Sequence, residues 1–99
     1  MEEKYYPVVV QAIAGDNYMV YAYFTDGTIH EYDMKPLLRL GGVFSKLLDE
    51  DFFRNRITVL NSTVAWDLSG CYDPCNCVDI DPYDVYEAIE VEDPLMQIA

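Results

Sequence analysis

Three groups of side chains in this chain are of the types from which chemistry is built. The first is Cys71-x3-Cys75-x-Cys77, three thiols in one short stretch. A structural zinc takes four nitrogen or sulfur ligands, usually from two close cysteine pairs or a cysteine pair and a histidine pair. The lone histidine, His30, lies far away in sequence, so Asp73 or Asp79 would have to complete such a set. The spacing is not diagnostic of zinc, and an odd cysteine count argues against a disulfide framework. Free reduced thiols are expected, with a redox thiol or a metal ligand as the alternatives. The second group is Asp79, Asp81 and Asp84. Carboxylates bind hard cations and serve as acids and bases, but the central Gly and closing Glu of an EF-hand are missing. Asp81 stands directly before Pro82, where a helix N-cap accounts for it. The third is His30, between Ile29 and Glu31, which reads as a partly exposed residue of a strand.

None of these completes a catalytic set. A hydrolase needs a nucleophile and an orienting carboxylate around its histidine, and no G-x-S-x-G or equivalent occurs. Gly41-Gly42 lacks the Lys and Ser/Thr of a phosphate-binding loop. The expectation is a protein that is not an enzyme, with no catalytic, cofactor-binding or metal-binding residues and no cofactor.

The elements that position these groups follow from the pattern. Val8 to Ile13 is apolar and β-branched, and Gly15-Asp16-Asn17 supplies turn chemistry after it. In Tyr18 to Phe24, Tyr18, Val20, Ala22 and Phe24 share one face and Met19, Tyr21 and Tyr23 the other. Asp26-Gly27 is a pair favoured in a two-residue hairpin, and Thr28 to Asp33 returns as a third strand. Pro36 suits the first turn of a helix, Leu37, Leu38 and Leu40 give it an apolar side, and Gly41-Gly42 can stop it. Val43, Phe44, Leu47 and Leu48 continue at helical spacing, and Asp49 can cap a further turn carrying Phe52 and Phe53. Ile57 to Leu60 and Thr63 to Leu68 form a hairpin around Asn61-Ser62. The largest core residue, Trp66, is predicted to pack against the segment of Val43 to Leu48. Ser69 to Cys77 is a loop, Val78-Asp79-Ile80 a short strand, and Asp81-Pro82 opens a helix with Asp84 as a weak capping-box analogue. The fold predicted is α+β in a single domain, residues 1–99: a mostly antiparallel sheet, made of an N-terminal three-stranded meander and a later hairpin, with short helices packed on it. A tail from about 92 to 99 is expected to be loosely held.

Charge is the strongest global signal. The formal net charge of the 99 residues is −12, and 52% of them are hydrophobic, enough for a packed core. Five of the six bases, Lys35, Arg39, Lys46, Arg54 and Arg56, lie in the middle of the chain, and from Asp67 to Ala99 there is neither Lys nor Arg. That last stretch repels phosphates and anionic lipids and attracts a basic partner. Its carboxylates Asp84, Glu87 and Glu90 are the candidate partner-binding residues, with a plain solubilising surface as the alternative. No apolar run approaches the roughly 18 residues of a membrane span, and Met1-Glu2-Glu3-Lys4 is acidic where a secretion signal is basic. A cytoplasmic location is expected, without nucleic-acid or membrane binding.

In order along the chain, Asp26-Gly27, Tyr32-Asp33-Met34-Lys35-Pro36-Leu37-Leu38, Gly42-Val43-Phe44, the strand with Trp66 and Asp79-Ile80-Asp81-Pro82 with Tyr86 resemble DUF2442, a family of small bacterial domains of unknown function. The resemblance runs from about Val8 to Tyr86. Such domains are often encoded beside a small companion protein, and the resemblance therefore implies a protein-interaction module. In its sharper form this is the acidic, neutralising member of a two-protein, toxin–antitoxin-like system, its partner a basic protein encoded by a neighbouring gene. Some members carry a helix-turn-helix domain after this one, which makes a component of a transcription regulator one alternative. Binding of a small ligand or a metal is the other, and self-association is compatible with all three.

Overall fold

The computed structural model describes residues 6–97, so Met1-Glu2-Glu3-Lys4 and the last residues of the expected loose tail, Ile98 and Ala99, lie outside the described residues. Strand β1 (Val9–Ala14), β2 (Met19–Phe24) and β3 (Ile29–Asp33) form the antiparallel meander. In β2 the pleat buries Val20, Ala22 and Phe24 and leaves Met19, Tyr21 and Tyr23 half-covered on the other face. A bulge between Val9 and Gln11 shifts the register of β1 and leaves Val10 exposed.

The turn between β2 and β3 differs from the two-residue loop expected. Phe24 donates its N–H to Thr28 O at 2.9 Å, and its carbonyl accepts from Gly27 N–H at 3.0 Å. The loop is thus three residues, Thr25-Asp26-Gly27, with Gly27 at φ 88°. This is the turn in which glycine takes the left-handed position after a tight bend.

The helical middle starts as the residues dictate. Asp33 Oδ1 accepts the N–H of Lys35 at 2.9 Å, and Pro36 sits in the first turn of α1 (Lys35–Leu38). Gly41 and Gly42, with φ 72° and 61°, then turn the chain through a backbone that L side chains rarely adopt. Val43 to Leu48 lie in a 3-10 helix, Gly42–Leu48, that buries only Leu47. Asp49 caps α2 (Glu50–Asn55), accepting from Asp51 N–H at 3.0 Å and Phe52 N–H at 3.4 Å. Removal of such a cap costs about 1 kcal/mol.

The later hairpin belongs to a second sheet. β4 (Ile57–Leu60) and β5 (Thr63–Asp67) join through Asn61 and Ser62, both left-handed at φ 55° and 62°, the conformation of a type I′ turn. β6 (Cys77–Asp79) pairs with the other edge of β5, one residue ahead of the predicted strand. Enclosed on both edges, β5 buries all five of its residues. After it come α3 (Pro82–Tyr86) and β7 (Ile89–Glu90), a strand the sequence reading did not contain. β7 pairs with β3 and makes the first sheet four-stranded, in the order β1-β2-β3-β7, beside β4-β5-β6. All pairs are antiparallel, so the α+β class holds, with two sheets in place of one.

The sheets meet where Val9 N–H donates to Ser62 O at 3.0 Å, and one apolar cluster draws on both, with Val9, Val20, Leu47, Phe53, Val64, Trp66 and Val85 at its centre. Trp66 is fully buried. Its ring lies 5.3 Å from that of Phe53, and its indole N–H donates to the Phe53 carbonyl, so the helix that receives it is α2, which follows the expected segment of Val43 to Leu48. Among the described residues no helix is long and apolar enough to cross a membrane.

Candidate interaction surface

α3 is fixed from inside. Asp81 accepts the N–H of Tyr83 at 2.9 Å, and Pro82 follows at a position that needs no N–H partner. Val85 is buried in the core, and the ring of Tyr86 meets Phe24 edge-on at 5.1 Å. With these two inward, the helix turns Tyr83, Asp84 and Glu87 to solvent. β7 adds Glu90 and Ile89, and Ile89 is 67% exposed. The three carboxylates singled out from sequence thus all lie on the surface, in one stretch of α3 and β7 that also shows an aromatic and an aliphatic side chain. Interfaces commonly combine such apolar anchors with a charged rim.

The electrostatics of this stretch are one-sided. Among the described residues the ion pairs are Lys35–Asp33 at 3.0 Å and Arg54–Asp16 at 2.6 Å, and neither reaches the last third of the chain. Burial pushes the phenol of Tyr32 up, and the charges of Asp84, Asp81 and Asp33 push it further in the same direction. Among the described residues no ion pair involves Asp81, Asp84, Glu87 or Glu90.

The other sequence candidates are taken up locally. Asp79 on β6 accepts from Asn61 Nδ2 at 3.2 Å, Asp81 is a cap, and Asp84 faces outward, so this trio does not converge. Among the described residues no group of three or more His, Cys, Asp or Glu is placed to hold a metal ion. Cys71 and Cys75 are exposed free thiols and Cys77 is half-buried. Burial raises the Cys77 thiol, and the carboxylates of Asp79, Asp67 and Asp73 add to that. The loop around them is built on Asp67, which the sequence reading treated only as a charge. Its Oδ1 accepts from Ser69 N–H at 3.0 Å and Ser69 Oγ at 2.7 Å, and its Oδ2 accepts from Tyr72 N–H at 3.2 Å. Ser69 Oγ in turn takes the N–H groups of Cys71 and Asp73.

His30 corrects its expectation. It is 5% exposed, not partly solvated, with Nδ1 at 2.9 Å from Ala88 O and Nε2 at 3.0 Å from Thr28 Oγ1. It stands opposite Ala22, an inward residue of β2, and cross-strand partners share a face.

A contrasting surface surrounds the helical middle. Leu40, Val43 and Leu48 are exposed there beside Arg39 and Lys46. An open groove of about 290 Å³ is lined by Tyr18, Lys35, Leu38, Arg39 and Leu48 among others, and one of about 360 Å³ lies between the Gly42–Leu48 helix and β6. Both are at the low end of ligand-pocket size, roughly 300 Å³ and upward.

The fold order that resembled a family from sequence is matched as a whole: residues 9–90 fit the family described as "Protein of unknown function (DUF2442)". The chain belongs to the DUF2442 family. The match spans both sheets and ends at β7, so the acidic α3–β7 stretch is inside the DUF2442 region and not an appendage to it. No curated protein and no solved structure matches the chain.

Proposed function

We propose that this DUF2442 domain is a non-enzymatic protein-interaction module whose acidic α3–β7 face docks a basic protein. The observation that carries the reading is the exposure of Asp84, Glu87 and Glu90, in the same stretch of chain as exposed Tyr83 and Ile89, with no ion pair to neutralise them among the described residues. Unpaired surface carboxylates speed the encounter with a positively charged partner, and the aromatic and aliphatic side chains supply area that excludes water. The same field opposes duplex DNA and anionic membranes. In its sharper form the partner is a small basic protein encoded beside this one, which this chain would neutralise. The groove-bound small ligand and the transcription-regulator role have less support, because the grooves are open and small.

The test is co-purification with the neighbouring gene product, followed by association rates for the triple variant D84K/E87K/E90K. Reversal is expected to slow association by about tenfold or more, and added salt to slow the unmodified protein similarly. Far-ultraviolet circular dichroism should remain that of the parent. No complex, or a rate indifferent to salt and charge, would reduce the face to a solubility device.

A further inference from the structure

His30 is the one histidine of the chain, and its imidazole is enclosed by several elements. Phe24 of β2 meets it edge-on at 5.3 Å, and the ring of Tyr86 on α3 lies at 4.8 Å. The titratable groups facing it are Asp26 in the hairpin, Tyr86, and Glu90, its cross-strand partner on β7.

The bonds of the ring call for one proton more than a neutral imidazole and a threonine hydroxyl bring. Ala88 O can only accept, so Nδ1 carries a hydrogen. On the other side Thr28 Oγ1 lies between two acceptors, 3.0 Å from Nε2 and 2.6 Å from Asp26 Oδ1. A hydroxyl has one proton, and these two contacts need two. We infer that His30 and Asp26 hold one additional proton between them through the Thr28 hydroxyl, and that this proton latches the β2–β3 turn to the α3–β7 turn.

With the proton present, Nε2–H donates to Thr28 Oγ1 and Thr28 O–H donates to Asp26 Oδ1. Without it, one of the two contacts sets lone pair against lone pair and must open. Asp26 accepts the Thr28 N–H at 2.9 Å and the Thr28 hydroxyl at 2.6 Å on Oδ1 and the Tyr86 hydroxyl at 2.7 Å on Oδ2, so both its oxygens serve as acceptors and the proton is placed on the ring, as an imidazolium bridged to a carboxylate. The latch spans far-apart parts of the chain, since Nδ1–H is bound to Ala88 just before β7. When that proton leaves, either the Nε2–Thr28 or the Thr28–Asp26 contact opens and the end of the first sheet loosens.

Because His30 is the only histidine, ring nitrogen spectra report it alone. At a pH where the parent ring is half doubly protonated, the ratio of doubly to singly protonated ring should fall about tenfold in T28V and in D26N, as expected for losing a charge-assisted bond. T28S, which keeps the hydroxyl, should restore it. The Val91 amide, which bonds Ile29 O at 2.8 Å beside β7, should exchange about fivefold faster in the parent once the ring is neutral. In T28V it should show no such step. A ratio unchanged in both T28V and D26N, or a Val91 amide indifferent to pH in the parent, would overturn the proton-sharing assignment and leave His30 as a packed ring with two ordinary bonds.

Discussion

Trp66 donates its indole N–H to the backbone carbonyl of Phe53 at 2.9 Å while its ring packs on the Phe53 ring. One strand residue thereby binds α2 twice, by apolar contact and by a buried bond. The carbonyl is the acceptor at the centre of a short helix, and the indole is the largest side chain fully buried in the core.

Trp66→Ala removes both contacts and leaves a cavity. The expected loss is about 3–5 kcal/mol, the usual cost of deleting a buried large aromatic. That is a large share of the roughly 5–15 kcal/mol that stabilises a typical domain. Trp66→Phe should cost less, on the order of 1–3 kcal/mol, because only the bond to the carbonyl is lost outright. Urea unfolding of both variants measures the difference. A Trp66→Ala loss under about 1 kcal/mol would contradict this role for the residue.

The sequence predicted the elements better than the register between them. Pro36, Asp49 and Asp81 mark helix starts because each acts within a few residues, through a fixed φ or a side-chain cap. Asn61-Ser62 marks its turn for the same reason. His30 shows where that locality ends. A two-residue loop at Asp26-Gly27 would set Thr25 against Thr28 and His30 against the outward Tyr23. The three-residue loop sets Phe24 against Thr28 and His30 against Ala22. A shift of one residue exchanges the two faces of a strand, so the histidine moved from surface to core. β7 was missed because two residues carry no period. Its pairing depends on where α3 delivers the chain. The exposure of Asp84, Glu87 and Glu90 was legible, since charge resists burial, whereas the bonds of Asp67 to Ser69 and Tyr72 depend on a loop path that no local rule dictates.

The loop that holds the cysteines should respond to acid through Asp67. The Ser69 hydroxyl holds this carboxyl below its ordinary 3.8, aided by the backbone N–H groups of Ser69, Tyr72 and Gly70 against an opposing burial effect. A group lowered on folding contributes its full stabilisation above the unfolded value and loses it as pH falls through the folded one. Loop order should therefore persist at pH 3.8 and be lost only below it. Amide exchange at Tyr72 and Asp73 across that range tests this. In Asp67→Asn the two amides should exchange faster already at neutral pH, and Cys77 should be alkylated faster than in the parent. Unaltered exchange in the variant would remove Asp67 from the centre of the loop.

The end of the described chain should respond to alkali through Tyr23. Its hydroxyl donates to Asp93 Oδ1 at 2.6 Å, which ties β2 to the segment after β7. Burial pushes this phenol up from 10.0 to about 12, with the Asp93 bond and charge adding to it. A proton held more tightly in the folded state stabilises it fully below the unfolded value, and that contribution fades as pH rises through the folded one. The fading should therefore fall between pH 10.0 and about 12. Asp93 also accepts the N–H of Leu95 at 2.9 Å, so losing its partner should free the Pro94–Gln97 turn as well. In a tyrosinate absorbance titration Tyr23 should ionise late, and Asp93→Asn should bring it to lower pH while increasing protease cleavage near Leu95. Tyr23→Phe should produce the same cleavage with one ionisation fewer. Cleavage equal to the parent in both variants would show that this bond does not hold the segment to the sheet.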